Sequence, residues 1–192
     1  MVERIPIAGT VERDLALPDG TTATVTTYAI EELVSTKLRA LFSRRKGRDA
    51  FDLDMALPLL DDRDLLRRMT VFHFYRAGIM FAPAVVRENY VTKLTDPAFH
   101  RDTPGYLKDH VRWDGMEAGR HILEGFAFLF DLGPREREFL GLARRLLDRR
   151  AAQGLSEVDG SGRPLARLME GCRRVSKEAV EASLDEIRVK VR

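Results

Sequence analysis

The hydrophobic period changes once along this chain, at Ile30, and that change limits the folds open to it. Before it, Thr21, Thr22, Thr24, Val25, Thr26 and Thr27 favour extended backbone. Pro18-Asp19-Gly20 separates them from Leu15–Leu17 and reads as a turn. About three short strands are expected there, one pair forming a hairpin that packs on the helix that follows. From Ile30 onward apolar residues recur at helical spacing. Ile30, Leu33, Val34, Lys37, Leu38, Leu41 and Phe42 fall on one stripe, which Gly47 breaks. A second helix is expected over Arg48–Leu57, stopped by Pro58. A third carries Leu65, Leu66, Met69, Phe72 and His73, with Asp61 or Asp62 near its start. Val86, Tyr90 and Leu94 suggest a fourth. Ile122, Leu123, Phe126, Leu129 and Phe130 give an apolar fifth. Pro134 opens another at the N1 position, continued by Phe139, Leu142 and Ala143. Gly154–Pro164 reads as a loop, and Ser176 caps a last helix bearing Val180 and Leu184.

The expected class is therefore α+β and mostly helical: a short N-terminal β segment followed by a helical bundle. Two units are expected, residues 1–58 and 59–192. A chain of 192 residues with 44% apolar and 32% charged content can bury a core without staples, which excludes a disordered chain or a disulfide scaffold. The single cysteine, Cys172, excludes an internal disulfide and a multi-cysteine zinc site. It fits a reducing, cytoplasmic compartment. No run approaches a membrane span, and Met1–Ala8 lacks the pattern of a signal peptide.

Charge is uneven. Arginines number 26 against 6 lysines. Lys37, Arg39, Arg44, Arg45, Lys46 and Arg48 lie in a stretch with no acidic residue. Arginine suits bidentate contact with phosphate, although a GC-rich genome gives the same bias. Lys37 sits on an apolar stripe, so it either snorkels to the helix edge or aims a charge at a polyphosphate. Asp49 and Asp52 lie one turn apart on the next helix. Such a pair can hold Mg²⁺ or act as a general base; equally, Asp49 can complement the helix dipole while Arg48 pairs with Asp52. The histidines, His73, His100, His110 and His121, show no metal-ligand spacing. Trp113 and the Phe72–Tyr75 cluster read as packing.

The spacing Glu31-Glu32-Leu33-x-x-x-Lys37-Leu38-x-Ala40-Leu41, a basic turn, then Arg48-Asp49-x-x-Asp52-Leu53 closely resembles a block of the abortive-infection nucleotidyltransferase toxins, the AbiEii/AbiGii family. Asn89–Asp102, with Lys93 followed by Asp96-Pro97-x-Phe99-x-x-Asp102, resembles a later segment of that family. The resemblance implies a polymerase-β-like nucleotidyltransferase part joined to a helical part, the N-terminal β segment being a remnant of its sheet. It implies a nucleoside triphosphate and Mg²⁺, transfer of the nucleotide to an acceptor such as tRNA, and a cognate antitoxin. Carried over, Lys37, Arg44 and Arg48 match nucleotide-binding positions, and Asp49 and Asp52 match catalytic ones. The Gly-Ser turn and strand-borne Asp-x-Asp of the family have no counterpart upstream of Thr27. Glu3 is the one upstream match to a metal-holding acid. The chain therefore looks shortened, and is expected to bind triphosphate weakly without transferring nucleotide by itself. The rival readings are a non-catalytic helical module that binds RNA or a partner, and a truncated form of an active enzyme.

Overall fold

The computed structural model describes residues 6–108, 110–153, 163–172 and 174–191. Glu3 and most of the loop read over Gly154–Pro164 lie outside them. Strands β1 (Thr10–Ala16) and β2 (Thr22–Tyr28) pair antiparallel, with Thr10 opposite Tyr28 and Ala16 opposite Thr22. The turn follows from its residues. Asp19 Oδ1 accepts from the Thr21 N–H at 3.0 Å and its hydroxyl at 2.6 Å. Gly20 takes φ +82°, a conformation that glycine adopts without steric cost.

Among the described residues two strands are present where about three were expected, and the hairpin makes less contact with the helix that follows than expected. Leu15 and Leu17 are exposed, and only Val11, Ala23, Val25, Thr27 and Tyr28 of the strands are half-buried. What anchors the β segment is its base. Ile7, Ala8 and Ala29 are buried, and the Glu32 carboxylate accepts from the Ile7 and Ala8 N–H groups at 2.8 and 2.9 Å.

Helix α1 (Ile30–Ser43) buries Val34, Ser35, Leu38 and Leu41. This face is rotated from the predicted stripe: Leu33 is exposed and Lys37 stands at the edge. Helix α2 (Arg48–Ala56) follows, and a 3₁₀ turn at Leu57–Leu59 ends it where Pro58 was expected to. Asp62 caps α3 (Arg63–Arg76) by accepting from the Leu65 N–H at 2.8 Å. Pro83 opens α4 (Pro83–Leu94), and Asp96 caps the single turn α5 (Pro97–His100). Asp114 caps α6 (Gly115–Gly125). The apolar run expected as one helix to Phe130 breaks here: α6 stops at Gly125 and a 3₁₀ turn, Ala127–Phe130, continues. A side chain at Gly125 would come within 2.4 Å of Leu57, so the close approach holds a glycine where the helix ends. Helices α7 (Pro134–Gln153), α8 (Arg163–Met169) and α9 (Lys177–Val191) complete the chain, α9 capped by Ser176 as expected.

More than half the chain is helical. One apolar core runs from Ile7 to Val180, with α1 and α3 at its centre. Phe74 joins Phe42 and Phe81 there at centroid separations of 5.2 and 5.1 Å. Burying a side chain of this size stabilises by roughly 1.5–3 kcal/mol, so the α1–α3 contact alone outweighs any surface ion pair. Among the described residues, no helix is long and apolar enough to cross a membrane.

A candidate phosphate-binding corner on two helices

The C-terminal turn of α1 and the first turn of α2 meet at a tight corner, Arg44–Gly47. Its geometry is set from outside. The Lys93 ammonium, carried by α4, donates to the carbonyls of Leu41 at 2.5 Å, Phe42 at 2.6 Å and Arg44 at 3.1 Å. These are carbonyls that the end of a helix leaves without intrahelical partners. Burial first, and then the neighbouring Arg45, push the Lys93 ammonium below the usual lysine pKa, with Asp49 opposing. Three residues before Lys93, the buried Tyr90 hydroxyl donates to the Leu38 carbonyl at 2.8 Å, and burial pushes its pKa up. Gly47 closes the corner: a Cβ there would meet Thr103 Oγ1 at 2.3 Å and the Phe99 carbonyl at 2.6 Å. The two segments picked out by resemblance thus pack against each other.

Four charged side chains converge at this corner. Asp49 is fully buried, and both its oxygens accept from the Arg44 guanidinium, at 2.8 Å from Nε and 2.7 Å from the terminal nitrogen. This bonding raises the Arg44 pKa, against its desolvation. Lys37 reaches across from α1 to bond Asp52, and its Nζ is 3.9 Å from Asp49 Oδ1. Lys37 and Arg44 stay partly exposed, at 39% and 47% of their side chains. Each keeps donors free, since an ammonium has three and a guanidinium five. The corner is a pair of part-exposed cations, Arg44 held by the buried Asp49 and Lys37 by the part-exposed Asp52.

The fifth expected residue stands apart. Arg48 is exposed and stacks on the Tyr106 ring, 5.7 Å from its centroid. It does not make the expected pair with Asp52, because Lys37 takes that carboxylate from the neighbouring helix. Asp52 and Asp54 face different partners: Asp54 accepts from Trp113 Nε1 at 3.0 Å and lies 3.5 Å from His121 Nδ1.

A family model described as the nucleotidyl transferase AbiEii toxin of a type IV toxin–antitoxin system matches residues 2–121. The chain belongs to the AbiEii family. The match takes in the hairpin, the corner and both motif segments, and ends within α6. No curated protein and no solved structure matches the chain.

Nucleotidyltransferases generally use divalent metal, and the AbiEii residues described here do not fit one. Asp49 has both oxygens engaged by Arg44 and no solvent access, and Asp52 is engaged by Lys37. A hard cation needs several oxygen ligands converging on one point, whereas these carboxylates converge on cations. Among the described residues, no group of three or more His, Cys, Asp or Glu is placed to hold a metal. His73 is buried beside Phe72, and His121 is half-exposed between Asp54 and Glu117.

Sequence reasoning gave no role to three residues of the motif blocks. Glu32 fastens the N-terminal segment as described above. Glu31 is buried, accepts from the Asp62 N–H at 3.0 Å, and pairs with Arg174 at 2.6 Å. Together the two acids tie the start of α1 to the β segment, to α3 and to the α8–α9 connection. Lys93 clamps the other end of α1. For Glu31 and Glu32 the available signal was two adjacent acids in a first helical turn. For Lys93 it was a lysine one turn after Tyr90 on an otherwise apolar face.

Proposed function

We propose that this chain serves as the phosphate-holding corner and helical body of an AbiEii-type nucleotidyltransferase toxin. Lys37 and Arg44 contact the triphosphate of an incoming nucleotide, and Arg48 extends the basic edge. Asp49 and Asp52 position these cations: Asp49 holds Arg44, and Asp52 holds Lys37. The expected role of proton acceptor has less support for Asp49 than that of supporting residue, because a carboxylate with both oxygens engaged by a guanidinium is a poor base. The overall reaction is transfer of a nucleotide to an acceptor such as tRNA with loss of pyrophosphate. A cognate antitoxin restrains the toxin, and the setting is cytoplasmic. No step is assigned to Mg²⁺ on these residues, and Glu3 remains the sole upstream acid proposed for it.

The single observation that carries the proposal is the convergence of Lys37 and Arg44 on two carboxylates inside the segment matched to the family. Pre-fixed cations facing solvent suit a polyphosphate, since no reorganisation is needed when charge arrives. The 192 residues by themselves are proposed to bind triphosphate and to transfer nothing, for lack of an Asp-x-Asp strand upstream of Thr27. The test is incorporation of radiolabelled nucleotide into total tRNA by the purified chain with Mg²⁺ present. No incorporation is expected. Robust incorporation would overturn the inactivity, and its abolition by Asp49→Asn with triphosphate binding kept would overturn the supporting role given to Asp49. The alternative, a non-catalytic RNA- or partner-binding module, would bind RNA without binding triphosphate.

A further inference from the structure

Beside the corner lies a surface that, apart from Arg48, none of the preceding roles uses. A cleft of about 640 Å³ opens between α5 and the start of α6, its walls including His100, Arg101, Pro104, Arg112 and Trp113. Its volume falls in the range of small-molecule sites, roughly 300–1,000 Å³. It adjoins the corner directly, because Gly47 packs on Phe99, His100 and Thr103. The 3₁₀ turn that supplies Pro104 also presents Tyr106, which is 67% exposed and lies beneath Arg48.

Two features distinguish this surface from an ordinary solvated face. Arg48, Arg101 and Arg112 are exposed and form no salt bridge among the described residues. Of the two acids that share the cleft, Asp114 accepts from the Met116 and Glu117 N–H groups as the cap of α6, and Glu117 stands at its α6 side, 3.8 Å from His121 Nε2. Interleaved with the arginines are two aromatic rings, Tyr106 on the outer edge and Trp113 in the wall. Trp113 is fixed by its hydrogen bond to Asp54 and its edge contacts with Phe51 and His100. Unpaired guanidinium groups beside fixed rings are what a single-stranded polynucleotide needs: cations for its phosphates and flat faces for its unstacked bases. A free nucleotide would need one such unit, whereas here Arg101 and Arg112 of the cleft are accompanied by Arg48, seated on Tyr106 of the turn that supplies Pro104.

We propose that this surface, from the Arg101–Arg112 cleft across Tyr106 and Arg48, is a binding site for single-stranded nucleic acid. It leads the strand toward Lys37 and Arg44, and so deepens the preceding proposal by giving the acceptor strand a place. It rests on that proposal only for direction.

The experiment is fluorescence anisotropy of a labelled, mixed-sequence single-stranded RNA of eight nucleotides with the full chain, over a range of salt. The wild type is expected to bind, with affinity falling as salt rises. Arg101→Gln combined with Arg112→Gln should weaken binding at least about tenfold and flatten the salt slope by about 0.7 per lost phosphate contact. Tyr106→Ala, at an exposed position, should weaken it by about tenfold without flattening the slope, as loss of one stacking platform does. Far-UV circular dichroism and unchanged triphosphate binding check that the variants fold. No binding by the wild type, or equal binding by the arginine pair variant, overturns the proposal. Loss of triphosphate binding in Lys37→Ala with RNA binding kept supports two separate sites. RNA binding by a chain that binds no triphosphate at all would overturn the preceding proposal and leave this one standing.

Discussion

Replacing Asp49 by asparagine should destabilise this protein with little change of shape, and the size of the effect can be worked from the corner. Asp49→Asn removes one charge and keeps the volume, so no cavity term enters. It converts two bonds from the Arg44 guanidinium to a carboxylate, at 2.8 and 2.7 Å, into one bond to a neutral amide oxygen and one donor facing a donor. Breaking a buried pair costs about 3–5 kcal/mol when the stranded charge stays buried. Arg44 is 47% exposed and can turn to water, which lowers the figure. Charge-assisted bonds contribute about 1.5–3 kcal/mol each in favourable settings, and part of one survives. The expected loss is about 2–3 kcal/mol. For a chain of this size that lowers Tm by roughly 4–12 °C. Arg44→Ala should cost more than Asp49→Asn, because it leaves a fully buried carboxylate with Lys37 at 3.9 Å as its nearest cation. The double variant should lose less than the sum, with a coupling of about 1–2 kcal/mol. Urea unfolding followed by far-UV circular dichroism measures all four species. A change below about 0.5 kcal/mol in Asp49→Asn, the ordinary range of a surface substitution, would refute the reasoning.

Three further outcomes follow from other contacts. Lys93→Met should cost about 2–3 kcal/mol in urea unfolding, because the carbonyls of Leu41, Phe42 and Arg44 lose their donor while the aliphatic bulk is kept. Gly47→Ala should cost about 1–3 kcal/mol by the same assay, since its methyl would sit 2.3 Å from Thr103 Oγ1 unless the corner opens. The Cys172 thiol is pushed up in pKa by burial, against the Arg68 guanidinium at 2.8 Å, so its alkylation by iodoacetamide should have a midpoint above that of a free thiol. The sign for stability follows: above the free-thiol pKa the unfolded chain has released a proton the folded chain retains. Stability should therefore fall as pH rises through that window, and Cys172→Ser should remove the fall.

Local chemistry was readable from the sequence wherever one segment decided it. Pro18-Asp19-Gly20 makes its turn, Asp62 and Ser176 make their caps, and Pro134 opens a helix, because each acts within four residues of itself. The single turn α5 and the short α8 were not read: four and seven residues are too few to show a period. The fifth helix was read too long because Ile122 to Phe130 keeps its apolar spacing through Gly125. Only the approach of Leu57, far away in sequence, shows why the helix must stop there.

The candidate site divides the same way. Lys37, Arg44, Asp49 and Asp52 were legible as a set because their spacing matches a family block. Their pairing was not. Spacing along one helix offers Asp52 the partner Arg48, whereas the folded chain gives it Lys37 from α1. The hairpin was expected to lie on α1, yet the connection that holds it is a buried carboxylate, Glu32, gripping two backbone N–H groups. No hydrophobic pattern announces such a contact.

The Lys37–Arg44 corner is proposed above all to hold a triphosphate. Calorimetric titration of the purified chain with each of the four ribonucleoside triphosphates tests this most directly, with Lys37→Ala and His121→Ala as the paired variants. Binding is expected for at least one triphosphate. It should weaken by about tenfold in Lys37→Ala, the loss of one charge-assisted contact, and stay unchanged in His121→Ala. No heat with any triphosphate, or equal affinity in Lys37→Ala and the wild type, would contradict the account.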